Sequence, residues 1–331
     1  MRIALDAMGT DSAPVTEVAG AVLALKDLES DFEIILVGDS ATLQAEVNRH
    51  SDFPTDRLSI VHAAQRVLPG EPPSTVLRRK PESSIAVGIR LHKDGEADAF
   101  ISAGSTGAVM AASLFILRRL EGVDRPAIGT VVPTANGPLL LLDAGANVDC
   151  KPHQLVQFAR LGKVYAQDLM GISSPRVGLL NIGEEPKKGA ELVVAAYQGL
   201  KESGLNFVGN IEGRGIIEGG CDVLVCDGFV GNVLLKFYES VASFVVSLLT
   251  AAIGDTHGNA DLDEVFRLFD YTETGGAPLL GVNGIPIICH GGSPPKAICN
   301  AIGVADRAAK ASMVSHFVGE LTTPNKLGKP V

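Results

Sequence analysis

Residues 99–107 of the chain are Ala99-Phe100-Ile101-Ser102-Ala103-Gly104-Ser105-Thr106-Gly107, and an amphipathic stretch over residues 106–120 follows them. The apolar segment 99–102 is continuous rather than alternating, which is typical of a strand buried on both faces of a mainly parallel sheet. The glycine-rich turn after it marks the passage from a strand to a helix. Because this order of strand, turn and helix recurs along the chain, we predict an α/β fold.

The same pattern places the other predicted elements. Apolar segments predict strands at residues 1–6, 34–37, 58–61, 128–132, 139–142, 177–181, 223–226 and 285–289. Amphipathic stretches predict helices at residues 15–28, 84–92, 153–170, 190–202, 232–252 and 295–316. Residues 133–138 are too few for a crossover helix and rich in turn formers, so they predict a β-hairpin and a mixed, mainly parallel sheet between helix layers. We expect one domain over residues 1–331, with a loose tail at 322–331.

The composition limits the classes of protein that the chain can be. Its 331 residues are 46% hydrophobic and 20% charged, which excludes a disordered chain and a small disulfide-stapled module. Lysine and arginine number 28 against 38 aspartates and glutamates, and the net charge of −10 disfavours nucleic acid as a partner. The five cysteines have no metal-ligand spacing, which predicts reduced, buried thiols in a cytoplasmic protein.

An anionic partner of so acidic a chain needs a local basic patch. The run Arg78-Arg79-Lys80 is the candidate for docking an acidic partner, whereas Arg118-Arg119 suits the end of a helix. No segment reaches the ~18 uninterrupted apolar residues of a membrane span, and the first residues show no signal-peptide pattern. An apolar stripe over residues 233–253 predicts a helix in the core or in a dimer seam, or an apolar tip around Leu248, Leu249 and Ile253 that touches a membrane.

Glycine and small polar residues gather where predicted strands lead into helices. These turns lie at residues 6–11, 102–107, 143–147, 181–185, 227–232 and 290–293. Turns of this kind lie at the carboxyl edge of a parallel sheet, where helix N-termini offer N–H groups to anions. One glycine turn is usually turn chemistry alone, but the recurrence favours a phosphate site. The chain has neither a Walker motif nor a Gly-x-Gly-x-x-Gly after its first strand, which argues against nucleotide hydrolysis and a standard dinucleotide site.

Several residues near these turns have two interpretations each. Lys188 is either part of a solvated turn or a cation that clamps phosphate. Asn232 is either the N-cap of a helix or a donor to a substrate oxygen, and His290 is either structural or catalytic. The aspartates Asp6, Asp11, Asp143 and Asp227 could hold a divalent metal, but most are interpreted as caps or orienting groups, since His and Cys at metal spacing are missing.

The chain resembles the phosphate acyltransferases of bacterial phospholipid synthesis, the PlsX type of acyl-acyl-carrier-protein:phosphate acyltransferases. The matching blocks are Asp6–Pro14, Ser102–Ala108, Asp143–Asn147, Asn181–Gly189, Gly209–Arg214, Asp227–Asn232, Gly275–Gly281 and His290–Ser293. It departs from the family pattern at Thr10, Ser105 and Gly292, where glycine, asparagine and serine are common.

The resemblance implies a two-lobed fold like that of phosphotransacetylases and the isocitrate/isopropylmalate dehydrogenases, with the site in a cleft. It implies a homodimer that converts an acyl-acyl-carrier protein and inorganic phosphate into acyl phosphate. It also implies peripheral association with the inner face of the membrane, where a glycerol-3-phosphate acyltransferase takes the product.

Such a reaction fits the small polar turns. Phosphate is already a nucleophile and the thioester leaves as a thiolate, so catalysis needs positioning and oxyanion stabilisation without a metal or cofactor. We assign Ser105, Thr106 and Lys188 to phosphate, Asn232 to the carbonyl or oxyanion, and His290 to proton traffic. The other residues expected at the substrate site are Asp6, Gly9, Asp11, Ser102, Gly104, Gly107, Asn147, Asn181, Glu184, Asp227 and Ser293.

Three alternatives compete with this assignment. A phosphotransacetylase would prefer an acyl group on coenzyme A, and a nicotinamide-dependent decarboxylating dehydrogenase would need Mg²⁺ on clustered aspartates. A membrane-surface scaffold would bind carrier protein without releasing a thiol, but it leaves the glycine turns unexplained.

Overall fold

The computed structural model describes residues 1–68, 70–253 and 275–322. Within these ranges the strands are β1 (Arg2–Asp6), β2 (Glu33–Gly38), β3 (Leu58–His62), β4 (Ala99–Ser102), β5 (Ala127–Thr134), β6 (Gly137–Leu142), β7 (Val177–Leu180), β8 (Phe207–Ile211), β9 (Val223–Val225), β10 (Ala277–Leu280) and β11 (Pro286–Ile288). The α-helices are α1 (Val15–Asp27), α2 (Ser40–Val47), α3 (Pro73–Arg79), α4 (Ser84–Lys93), α5 (Thr106–Ala112), α6 (Pro152–Met170), α7 (Glu191–Glu202), α8 (Gly213–Ile217), α9 (Gly228–Ile253), α10 (Pro295–Lys310) and α11 (Met313–Thr322). A 3₁₀ turn lies at Thr55–Arg57, and a π-helical turn, Ser113–Leu117, continues α5.

The chain folds as two compact units. The first comprises the described residues of Met1–Glu121 and Gly275–Val318, and the second those of Gly122–Thr274 and Gly319–Val331. In the first unit the strand order is β3-β2-β1-β4-β11-β10, and only β10 runs antiparallel to its neighbour β11. In the second unit the order is β5-β6-β9-β7-β8, where β5 and β6 form the antiparallel pair and the other pairs are parallel. The predicted mixed, mainly parallel α/β arrangement is confirmed.

The cores of both units depend on close helix packing. In the first unit α1 packs on α10, and Gly20 allows this approach because a Cβ there would lie 2.6 Å from the Cβ of Ile298. Helix α4 packs on β1, β2 and β4, with Gly88 leaving room for the ring of Phe100. In the second unit α6 packs on β6 and β9, and Gly162 lies against Val223.

Every predicted strand and helix has a counterpart in the structure, but some boundaries differ. The predicted hairpin is present, and its tight turn pairs Thr134 with Gly137. The predicted helix 295–316 is two helices, since Ser312 takes a left-handed conformation with φ of 55°. Likewise the predicted helix 106–120 ends at Leu117, because Arg118 has φ of 72°. The elements missed by sequence reasoning are α2, α3, β8, α8 and β10, all short.

The long helix α9 is mostly unburied. Among the described residues, its segment Gly228–Ala251 is long and apolar enough to cross a membrane by length and composition, although polar residues interrupt it. Phe229, Phe237 and Phe244 are each more than 60% exposed. Leu248 and Leu249 of the predicted apolar tip lie on this helix. The side chain of Ile253, the third residue of that tip, and the predicted tail beyond Thr322 lie outside the described residues.

Candidate functional site

The turns after β1, β4 and β11 meet in the first unit, because these three parallel strands are neighbours and end at the same edge. The Asp6 carboxylate accepts a 2.6 Å hydrogen bond from the Ser102 hydroxyl, and the Gly104 N–H donates to the Ser102 Oγ at 3.0 Å. The Asp11 N–H donates to the Gly291 carbonyl at 2.9 Å. We call this set of turns the first-unit cluster.

Two of these turns touch through a glycine. A Cβ at Gly9 would lie 2.6 Å from the backbone nitrogen of Gly104 and 2.9 Å from the carbonyl carbon of Ala103. Backbone atoms cannot move aside as a flexible side chain can, so no larger residue fits at position 9 without displacing a turn. The predicted site residues Gly9 and Gly104 are therefore packed against each other.

The Asp6 carboxylate is buried and faces protein donors. Burial raises its pKa, while hydrogen bonds from Ser102, Ser84 and the Met8 N–H oppose that rise. Its contacts make it an orienting group for the turns after β1 and β4, the role the sequence interpretation gave to the aspartates.

Glu17 is a buried residue that sequence reasoning missed. Its carboxylate accepts from the Thr10 N–H at 2.6 Å and from the Thr10 hydroxyl at 2.9 Å, and burial raises its pKa to about 7. Arg66 donates to the Thr10 carbonyl at 2.7 Å. A single glutamate in an amphipathic stretch looks like part of a solvated face, so the sequence carried no signal for this contact.

The start of α5 carries Ser105 and Thr106. The Ser105 side chain caps the helix by accepting from the Ala108 N–H at 3.4 Å, and Pro73 lies against Gly107. No described group accepts a hydrogen bond from the N–H of Thr106 or Gly107. These two N–H groups are thus available to a bound anion.

The loop after β11 holds His290 and Ser293. His290 is exposed, and its Nδ1 accepts from the Gly292 N–H at 3.1 Å, which places the proton of the neutral ring on Nε2. Ser293 is buried, and its N–H donates to the His290 carbonyl. This contact holds the exposed imidazole over the loop after β11.

A second set of turns, the second-unit cluster, follows the neighbouring parallel strands β6, β9 and β7. The buried Asp143 carboxylate accepts from the N–H groups of Ile128, Gly145, Ala146 and Asn147 and from the Asn147 side chain. Burial raises the Asp143 pKa against these hydrogen bonds. Because Asp143 takes these N–H groups, this turn does not offer them to a substrate anion, contrary to the general expectation for the glycine turns.

Asp227 rather than Asn232 caps α9. The Asp227 carboxylate accepts from the N–H groups of Phe229 and Val230, each at 3.0 Å, and Asn232 lies beyond this first turn. The interpretation of Asn232 as an N-cap is therefore wrong. Its exposed amide instead lies beside Gly145, where a Cβ would be 3.4 Å from the Asn232 Oδ1.

Lys188 lies on the turn after β7. The Asn181 side chain donates to the Lys188 carbonyl at 2.8 Å, which fixes the backbone. The Lys188 ammonium lies 3.1 Å from Glu185, but both side chains are more than half exposed, so this ion pair contributes little to stability. The predicted site residue Glu184 is also exposed and lies 3.8 Å from Arg214.

A cavity of about 460 Å³ lies among the second-unit turns. It is lined by Val148, Asp149, Cys150, Leu192, Asp227, Phe229 and Val230. Asp227 follows β9 and Leu192 lies on α7, and neither Lys188 nor Asn232 is among the described residues that line this cavity.

The five cysteines are free thiols and four of them are buried, as predicted, whereas Cys150 is half-buried. Burial raises the pKa of the Cys150 and Cys299 thiols to about 11. It raises the pKa of Cys221 and Cys289 to about 12, and it also raises the pKa of Cys226. None is a thiolate at neutral pH. In the part of the chain that the structure describes, no three His, Cys, Asp or Glu side chains group as a metal site.

The predicted basic run Arg78-Arg79-Lys80 is divided by the structure. Lys80 pairs with Glu71 at 2.7 Å and donates to the Arg66 carbonyl at 2.8 Å, so it belongs to a local network. Arg78 and Arg79 are exposed, and Arg78 lines a separate cavity.

Solved structures of low sequence identity share this fold. A phosphotransacetylase from Staphylococcus aureus matches with a TM-score of 0.63 at 17% identity over 94% of both chains. A branched-chain phosphotransacylase from Enterococcus faecalis matches with a TM-score of 0.58 at 15% identity, covering 93% of this chain and 99% of that one. These likenesses confirm the predicted phosphotransacetylase-like α/β fold.

Comparison of sequences identifies the family. A model described as fatty acid synthesis protein matches residues 1–316. The chain is 50% identical over 321 residues to a phosphate acyltransferase of Desulforamulus reducens, covering 95% of each. It is 51% identical over 325 residues to a phosphate acyltransferase of Pelotomaculum thermopropionicum, covering 96% of this chain and 94% of that protein. The chain therefore belongs to the phosphate acyltransferase family, and it is an acyltransferase of lipid synthesis, as the resemblance predicted.

Proposed function

We propose that the protein transfers a fatty acyl group from an acyl-acyl-carrier protein to inorganic phosphate by direct attack of phosphate on the thioester. The observation that carries this proposal is the second-unit cluster, where Lys188 and Asn232 follow the adjacent parallel strands β7 and β9. An ammonium group for an anion and an amide donor for a carbonyl oxygen are what this reaction requires.

In the proposed reaction, a phosphate oxygen attacks the thioester carbonyl carbon and forms a tetrahedral oxyanion. Collapse of this intermediate breaks the C–S bond and releases the thiolate of the carrier protein, which takes up the proton that phosphate gives up. Asn232 stabilises the oxyanion by donating a hydrogen bond. Lys188 binds phosphate, since its exposed pairing with Glu185 is weak enough for a dianion to replace.

Direct attack is favoured over a covalent enzyme intermediate by the state of the thiols. Cys150 lines the cavity, and its pKa of about 11 keeps it protonated at neutral pH. A protonated thiol is a poor nucleophile toward a thioester. Inorganic phosphate is ionised under the same conditions and needs no activation.

The first-unit cluster is proposed to contribute to the same reaction. The available N–H groups of Thr106 and Gly107 support the assignment of this turn to phosphate. The exposed imidazole of His290 supports its assignment to proton transfer. The assignment of Ser105, Thr106 and Lys188 to phosphate stays a prediction.

The exposed face of α9 supports the remaining expectations, a homodimer and a contact with the inner membrane surface. Phe229, Phe237, Phe244 and Leu248 lie on this face, each more than half exposed. A contiguous apolar surface of this kind is typical of an interface with protein or lipid. Delivery of acyl phosphate to a membrane glycerol-3-phosphate acyltransferase would follow from a membrane contact.

The deciding experiment incubates the purified protein with palmitoyl-carrier protein and phosphate. We expect phosphate-dependent release of the carrier thiol and formation of acyl phosphate. Faster turnover of acetyl-coenzyme A would assign the protein to the phosphotransacetylases instead. Absence of thiol release with either donor would refute the proposal.

A further inference from the structure

A cavity of about 620 Å³ lies in the first unit between α3, α4 and α5 with its π-helical continuation. Helices α3 and α4 each pack on α5, and the apolar side chains of Leu77, Phe115 and Ile116 line the cavity. Phe115 is 63% exposed although it is a large aromatic residue. Side chains of this kind on a free surface are typical of a binding site.

Four cations surround this apolar lining, namely Arg78 of α3, Arg90 and Lys93 of α4, and Arg118 after the π-helical turn. Helix α4 contributes Ala86, Arg90 and Lys93 to the lining. These residues are four and three positions apart, so their side chains share one face of the helix. We call this feature the basic groove.

The charges of the basic groove are largely uncompensated. No aspartate or glutamate is among the described residues that line it. Arg90 lies 3.6 Å from Glu82, but no described carboxylate forms an ion pair with Arg78, Lys93 or Arg118. The Arg118 guanidinium instead lies 5.6 Å from the centre of the Phe115 ring. In a chain of net charge −10, such a concentration of cations selects an anionic partner.

The position of the basic groove relates it to the candidate phosphate turn. Ala111 and Phe115 line it, and they lie on the helix that begins at Thr106. At about 1.5 Å per residue, they are about 8 Å and 14 Å along the helix from Thr106. A flexible arm from a partner seated in the groove can follow this helix toward Ser105 and Thr106.

We propose that the basic groove docks the acyl donor, an acidic protein that carries the acyl thioester on an extended arm. This inference rests on the proposed function and specifies where its protein substrate binds. The four cations match the acidic surface, and the apolar lining matches the hydrophobic residues or acyl arm that such a partner presents. A small anion would leave Phe115 and Leu77 uncovered, and an apolar ligand would leave the cations unpaired.

The test measures binding of fluorescently labelled palmitoyl-carrier protein to Arg78→Glu, Lys93→Glu and the double variant. Both residues are exposed, so the variants are expected to fold. Each charge reversal should weaken binding by about tenfold at low salt, with a smaller effect at high salt. Lys26→Glu is the matched control, because Lys26 is an exposed lysine of the same unit away from the groove and undergoes the same change of charge. Phe115→Ser should weaken binding by about tenfold independently of salt.

Steady-state turnover supplies a second readout. The charge reversals should raise KM for palmitoyl-carrier protein and leave kcat within about twofold, since docking precedes the chemical step. Binding by Arg78→Glu and Lys93→Glu that equals binding by Lys26→Glu would overturn the docking site. The docking site would also be overturned if these variants no longer sedimented with anionic phospholipid vesicles but kept their affinity for carrier protein. That result would assign the groove to a membrane. Carrier protein that binds the groove without losing its acyl group to phosphate would refute the proposed function alone.

Discussion

Glu17 on α1 holds Thr10 in the turn after β1 through two hydrogen bonds, one to the backbone N–H and one to the hydroxyl. The carboxylate is fully buried, and its pKa is raised from 4.5 to about 7. Loss of a proton there places a charge in the core, so the turn that carries Gly9 and Asp11 is held by a group that titrates near neutral pH.

This contact predicts a pH dependence of stability. A carboxyl whose pKa is higher in the folded than in the unfolded state stabilises the fold below the unfolded value, and that stability is lost as pH rises through the folded value. The free energy of unfolding should therefore fall between about pH 4.5 and 7, by up to about 3 kcal/mol from Glu17.

The measurement is urea unfolding across this range for the wild type and Glu17→Gln. Asp6 gives a slope of the same sign, so the difference between the two proteins isolates Glu17. Parallel curves for both proteins would show that Glu17 is ionised in the fold at neutral pH.

Lys188→Ala and Asn232→Ala should each lower kcat/KM for phosphorolysis by about 10²- to 10³-fold, the range for loss of one group that stabilises the transition state. Both side chains are exposed, so unfolding midpoints should stay near that of the wild type. Lys187→Ala, next to Lys188 and also exposed, is the control and should retain activity. If either variant keeps near-normal turnover, its assigned role is wrong.

Gly9→Ala should destabilise the first unit by about 1–3 kcal/mol and lower activity, because its Cβ would lie 2.6 Å from the Gly104 nitrogen. Gly291→Ala is the matched control, since the nearest atom to its Cβ is the Asp11 Oδ1 at an ordinary 3.5 Å. The prediction is checked by measuring thermal unfolding and turnover of the two variants. Equal stability of both would mean that the turns separate readily.

Cys150→Ser should keep turnover within about threefold of the wild type, because direct attack by phosphate requires no thiolate. The thiol lines the second-unit cavity and is half-buried, so the near-isosteric serine is the conservative replacement. Rapid quench with labelled palmitoyl-carrier protein provides the complementary measurement. Accumulation of an acyl-enzyme in the wild type that is absent in Cys150→Ser would contradict direct attack.

Leu248→Glu should reduce co-sedimentation with anionic vesicles by at least about fivefold, because it places a charge on the exposed apolar face of α9. Ser247→Glu, an adjacent exposed residue, adds the same charge at a polar position and should have a smaller effect. Light scattering in the same samples measures the oligomeric state. Unchanged vesicle binding with a shift from dimer to monomer would identify this face as a dimer seam.

Much of the architecture followed from local pattern. Continuous apolar segments such as 99–102 and 139–142 predicted strands, and amphipathic stretches such as 153–170 predicted helices, because burial on both faces or on one stripe leaves a direct imprint on the order of residues. The same logic located the glycine turns. Short elements such as α8 and β10 escaped because a few residues do not establish a period.

The choice among interpretations of single residues required contacts between distant parts of the chain. Asn232 and Asp227 both stand where an N-cap is plausible, and only the geometry shows that Asp227 accepts the free N–H groups. The turn 143–147 looks like an anion site until the Asp143 carboxylate is found to take its N–H groups. Such outcomes depend on which acceptor takes a given set of N–H donors, which composition and spacing do not encode.

The order of amino acids was sufficient for the alternation of strands and helices and for the family, since both rest on local pattern and short sequence motifs. Three-dimensional packing was needed to join Glu17 to Thr10 and to bring Arg78, Lys93 and Arg118 around one cavity. Residues on separate helices become neighbours only when those helices bury their apolar faces against a common sheet and against each other.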